Sequence, residues 1–179
     1  MTALWNDVVA LYAAPGIREL CLELQDRDGT DVPLLLSVAS LAARGVAFDE
    51  VKVRQLERVC EPWQRRVVAP LRAARRALRP EEAAGTGLDI DPTDRAELKR
   101  CVQEAELAAE RLQIEAIAAA ARAWVFGHEL PSSFVAVDSV LRRVAAGANG
   151  AETDLLARSA IALPQSGAAR STPCSPPGS

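Results

Sequence analysis

DVPLLLSVASLAARG (Asp31–Gly45) decides how this chain folds. Placed on a helical wheel, Val32, Leu34, Leu35, Leu36, Val38, Ala39, Leu41 and Ala42 surround the axis on every side. A helix that is apolar all round is buried. Asp31 has the side chain of an N-cap, and Pro33 falls in a first turn, where its missing N–H has no intrahelical partner. Gly45 is the natural C-terminal stop. The apolar run is about a dozen residues, well short of the roughly twenty that cross a bilayer. The stretch therefore reads as the central helix of an all-α fold rather than as a membrane span.

Working outward, the flanking segments also have helical periods. Leu4, Val8, Leu11 and Tyr12 make one stripe of a helix that Pro15-Gly16 breaks. Ile17, Leu20, Cys21 and Leu24 make the next, and Arg27–Thr30 is a turn in which Gly29 takes positive φ. Asp49 caps a helix with Val53, Leu56, Val59 and Cys60 inward, and Phe48 is placed to staple against Val53. From Glu61 a further helix sets Trp63, Val67, Leu71, Ala74 and Leu78 against Arg65, Arg72, Arg75, Arg76 and Arg79, with Pro70 bound to kink or split it. Residues 80–91 are a linker. Asp91-Pro92 opens the longest helix, to about Phe126, whose Leu98, Val102, Ala105, Ala109, Leu112, Ala116, Ala119 and Ala123 form a thin, Ala-rich heptad seam. A helix over about 133–146 and a short one over about 152–162 follow. The expected object is a single-domain helical bundle of six to eight helices over residues 1–162, with a disordered tail over 163–179.

Composition narrows the function classes. Apolar residues make up 49% of the chain and aromatics only 4%, which favours helix over sheet and permits a full core. The net charge of −3 implies no partner by itself. Its distribution is uneven: residues 61–80 carry six arginines against one acid, while 81–179 carry fourteen acids and nine bases. The four cysteines form no C-x-x-C pair, and Cys21 and Cys101 fall on apolar faces as expected buried thiols. The N-terminus shows no targeting segment, so the expectation is a soluble protein of the reducing cytoplasm.

Four stretches together resemble a known family: LWNDVVALYAAPG (Leu4–Gly16), CLELQDRDGTDVPLLL (Cys21–Leu36), PWQRRVVAPLRAARRAL (Pro62–Leu78) and AELAAERLQ (Ala105–Gln113). The family consists of short, uncharacterised proteobacterial proteins, a conserved domain of unknown function, and the resemblance spans roughly residues 3–125. Its central helix often carries an asparagine where Pro33 stands and a tryptophan near Ser40, and this chain has neither. The resemblance implies an all-helical cytoplasmic protein and brings no activity or catalytic residues with it.

Three constellations could carry chemistry. Asp26, Asp28 and Asp31 mimic a calcium loop, but alignment on Gly29 puts Leu24 and Leu35 where an EF-hand needs its first acid and its bidentate Glu. A helix–turn–helix joint explains them better, with Gln25, Asp26 and Asp31 left as a candidate ligand site beside the buried helix. The arginine face (Arg65, Arg72, Arg75, Arg76, Arg79) is a candidate surface for an anionic partner. It lacks the interleaved aromatics of a nucleic-acid binder, and Glu104, Glu106, Glu110 and Glu115 offer it intramolecular pairs. His128, the only histidine, stands at a helix end with no local nucleophile. Trp5, Tyr12, Trp63 and Trp124 are core residues or the wall of an apolar pocket. Nucleophile-elbow, P-loop, dinucleotide and zinc-protease motifs are missing. No metal or cofactor is expected. The leading expectation is a non-enzymatic interaction or regulatory module with a protein partner. The alternatives are a small enzyme or ligand binder at the Gln25–Asp31 joint, and nucleic-acid binding through the Arg-rich helix.

Overall fold

The computed structural model describes residues 3–80, 82, 89–124 and 134–163, and all regular structure among them is helical. The helices are α1 (Ala3–Tyr12), α2 (Ile17–Asp28), α3 (Val32–Ala43), α4 (Glu50–Trp63), a π-helical turn (Gln64–Val68), α5 (Ala69–Ala77), α6 (Pro92–Ala120), α7 (Phe134–Val144) and α8 (Gly150–Ala162). The fold is an all-α bundle. His128, most of the 80–91 linker and the tail beyond 163 lie outside the described residues, as does the expected end of the long helix at Phe126.

Every residue of α3 from Val32 to Ala43 is buried. α1 and α6 pack on it from one side and α7 and α8 from another. Its termini follow from local chemistry. The Asp31 carboxylate accepts from the Leu34 N–H at 3.1 Å, and Gly45 adopts φ 88° beyond its end. Asp49 caps α4 through the Lys52 N–H at 2.8 Å, and Asp91 caps α6 through the Thr93 N–H at 2.7 Å. Each such cap stabilises its helix by about 1 kcal/mol. Gly29 ends α2 at φ 68°, the left-handed conformation that the turn requires. Asn149 and Glu152 form a capping box on α8. Phe48 meets Trp124 edge to face, with centroids 6.0 Å apart.

Two expectations are corrected here, and both concern which way a helix faces. The chain does not break near Glu61. α4, the π turn and α5 run on as one rod, antiparallel to α6, and Ala69 N–H reaches back five residues to the Gln64 carbonyl. Pro70 supplies the reason. It has no N–H, and its ring would clash with the Arg66 carbonyl in a regular α-turn, so the helix widens ahead of it. A five-residue π turn retards the phase by about 90° relative to an α-helix. The inward line therefore runs Val53, Leu56, Cys60, Val68 and Arg72, whereas a straight helical wheel points Arg72 outward. The second correction is α6. Its buried stripe is Glu106, Ala109, Gln113, Ile114 and Ile117, not the apolar seam. Of that seam only Ala109 is buried, while Leu98 and Leu112 face solvent. Cys101, expected inside, is exposed, and Cys21 and Cys60 are buried.

Candidate functional site

α1 and α2 form one arm, α5 and α6 another, and the gap between them above the start of α3 is a cleft of about 690 Å³. Its walls are amphipathic. Trp5, Val9, Tyr12, Leu22 and Leu107 supply apolar surface, and Arg18, Arg75 and Arg79 supply positive charge. Val9, Leu22 and Leu107 are all exposed, so the apolar part of the cleft is open to a partner. Gln25 and Asp26 from the last turn of α2 line the same cleft, as do Glu106 and Glu110 from α6. The helix 2–helix 3 joint and the Arg-rich helix, separate in sequence, thus meet at one place.

They meet through ion pairs. Arg76 holds Asp26 at 2.5 Å. Arg75 holds Glu106 at 2.5 Å, and Arg72 reaches Glu110 at 2.6 Å and Glu106 at 3.3 Å. Arg72 and Glu106 are each 7% exposed, so this is an interior network rather than a surface ladder. The other two acids expected to pair with this face do not: Glu104 pairs with Arg100 and Glu115 with Arg111 along α6. Arg72 is accordingly not on a partner surface. Arg65 is exposed on the π turn, outside the cleft lining, and Arg79 makes no ion pair among the described residues.

Asp31 sits behind the cleft wall. One carboxylate oxygen caps α3 and the other accepts from the Gln113 amide at 2.6 Å. Burial pushes the Asp31 carboxyl upward, against the lowering effect of the Leu34 N–H, Gln113 and Arg72. Glu110 is raised for the same reason, opposed by Arg72. Burial also raises the Tyr12 phenol. Cys21, in the cleft lining, is pushed up to about 12 by burial and remains a thiol at neutral pH. The three acids of the calcium-loop look-alike diverge: Asp26 goes to Arg76, Asp28 to Arg27 at 2.8 Å, and Asp31 to its cap. Among the described residues, no three of His, Cys, Asp and Glu are placed to hold a metal ion. No helix among them is long and apolar enough to cross a membrane.

Of the four aromatics singled out in the sequence, Trp5 and Tyr12 line the cleft. Trp63 instead donates its indole N–H to the Ala109 carbonyl at 3.0 Å, tying the rod to α6, and Trp124 lies against Phe48 and Lys52. Gln103, Arg18 and the buried Gln113 were not singled out. A usable signal existed for part of this set. Glu106, Glu110 and Gln113 recur at helical spacing on one stripe of α6, matching Arg72 and Arg75 one turn apart on the facing rod.

The match to a known family spans residues 3–117 and is described as a protein of unknown function. The chain belongs to the DUF2390 family. All of the cleft lining, from Trp5 to Ile114, lies inside the DUF2390 region, and α7 and α8 lie beyond it. No curated protein and no solved structure matches the chain.

Proposed function

We propose that this DUF2390 chain is a non-enzymatic interaction module of the cytoplasm, and that its cleft receives an amphipathic, acidic segment of a partner protein. The observation that carries this reading is the exposed apolar set Val9, Leu22 and Leu107 beside Arg18 and Arg79 in one open cleft. Large apolar side chains left open next to a charged rim are the ordinary signature of a recognition groove. An apolar helix face would settle on Trp5, Val9 and Leu107, and its acids would meet Arg18 and Arg79. Arg72, Arg75 and Arg76 are already engaged by Glu106, Glu110 and Asp26, which leaves little of the Arg-rich helix to track a nucleic-acid backbone. The free thiols Cys21, Cys60 and Cys101 fit a reducing compartment.

The test is affinity capture from the native lysate after nuclease treatment. Wild type and Val51→Glu, an exposed change on α4 outside the cleft lining, are expected to retain the same protein, and Leu107→Glu and Arg79→Glu to lose it. Capture that is indifferent to both cleft variants, or that disappears with nuclease, overturns the reading. A second reading is supported by size, since the cleft falls within the roughly 300–1,000 Å³ typical of small-molecule sites and Gln25 and Asp26 present polar groups there. It predicts a ligand from a small-molecule library that raises Tm in wild type and not in Asp26→Asn. A screen without such a compound removes it.

A further inference from the structure

Between the buried stripe of α6 and its charged outer side, where Glu97, Glu104, Arg111 and Glu115 lie, runs an exposed row of apolar and small side chains. Leu98 is 53% exposed and Leu112 48% exposed, and Cys101, Ala105, Ala108, Ala116 and Ala119 are exposed with them. Leu98, Ala105, Leu112 and Ala119 recur every seven residues, Cys101 and Ala108 fill the first two alternate positions, and Glu115 takes the third. A single exposed leucine is ordinary, but a row of apolar and small residues at heptad spacing is a face on which a second helix packs. This row lies beside the inward stripe of Glu106, Ala109 and Gln113 and uses none of its residues.

We infer that this face pairs with the same face of a second copy of the chain, with the two α6 helices antiparallel. The charges along one flank of the row select both partner and direction. They are Arg100, Glu104, Arg111 and Glu115, joined within the chain to neighbours one turn apart on the same helix, Arg100 to Glu97 and Glu104 and Arg111 to Glu115. A parallel pair would place the two flanks on opposite sides of the seam, where these charges meet no counterpart from the partner's flank. An antiparallel pair centred between Leu107 and Ala108 sets Glu104 opposite the partner's Arg111 and Arg100 opposite the partner's Glu115. The two-fold axis repeats both contacts. In the same register Leu112 lies over the gap between the partner's Cys101, Ala105 and Ala108, where small side chains let the helices approach closely. A sequence that is complementary to itself only when reversed is what an isologous interface requires. The surface is separate from the cleft, so the inference does not depend on the cleft's occupant.

The experiment is sedimentation equilibrium of the full chain under reducing conditions, with circular dichroism to confirm that each variant is folded. Wild type is expected to sediment at twice the 19.1 kDa chain mass. Leu112→Glu, Glu104→Arg and Arg111→Glu should each give monomers of unchanged helicity, and the double variant Glu104→Arg with Arg111→Glu should recover the dimer. That recovery is specific to the antiparallel register, because residues 104 and 111 are two turns apart and do not pair within one chain. A monomeric wild type, a dimer insensitive to the single charge changes, or a folded double variant that stays monomeric each overturns the inference.

Discussion

Replacing Arg72 by Met tests the interior network most sharply. Arg72 is 7% exposed and is the group that faces both Glu110 and Glu106. Breaking a buried ion pair by removing one partner costs about 3–5 kcal/mol, because a charge is left without compensation. Two features of this site hold the loss near the lower end. Arg75 stays on Glu106 at 2.5 Å, and Glu110, whose carboxyl burial already raises, escapes part of the penalty by taking up a proton. The expected loss is about 3 kcal/mol at neutral pH, equivalent to roughly 6–12 °C in Tm for a chain of this length. Arg76→Met removes an exposed pair, 45% and 59% accessible, and should cost less than about 1 kcal/mol. The pH dependence has a definite sign. A carboxyl raised in the folded state binds its proton there at pH values where the unfolded chain has released it. Stability therefore falls as pH climbs from about 4.3, the ordinary glutamate value, through the raised folded value. Removing Arg72 raises Glu110 further, so the deficit of the variant should be larger at pH 7.5 than at pH 4.5. Urea unfolding followed by circular dichroism at both pH values measures it. A cost below about 1 kcal/mol, or a deficit that grows on acidification, refutes the buried-network reasoning.

The remaining predictions follow from single contacts. Trp63→Phe removes the indole N–H bond to the Ala109 carbonyl, which keeps its intrahelical partner, for a loss of about 1 kcal/mol in urea unfolding. Asp31→Ala deletes both the α3 cap and the acceptor for Gln113 and should cost about 2 kcal/mol, whereas Asp31→Asn retains an oxygen for the cap and should cost less by the same assay. Gly29→Ala forces a side chain into φ 68° and should lower stability by about 1 kcal/mol with the cleft unchanged. In a Cys174→Ser background, Cys101 should react with a thiol reagent in the native protein. Cys21 and Cys60, both pushed up to about 12 by burial, should react only on unfolding.

The local layer of the fold is legible from the chain alone. The apolar run after Asp31, the caps at Asp31, Asp49 and Asp91, and the glycines at 29 and 45 depend on side chains within four residues of the backbone they act on, so their reading needs no partner. The burial of α3 is legible for the same reason, since a helix apolar on all sides has no solvent face to choose. Gln25, Asp26 and the arginines could be picked out as unusual, but not assigned a common place. Tertiary structure alone decided which face of α6 goes inward. Glu106 and Gln113 are buried because Arg72, Arg75 and Asp31 arrive from other helices to satisfy them, and a polar residue is costly inside only when it lacks such a partner. It also decided the direction of Arg72. The π turn ahead of Pro70 shifts the phase of everything after it, and a helical wheel carries that error along the rest of the rod. The cleft exists only once these two choices are made, because it is the space left between two helical arms held together by charges far apart in the chain.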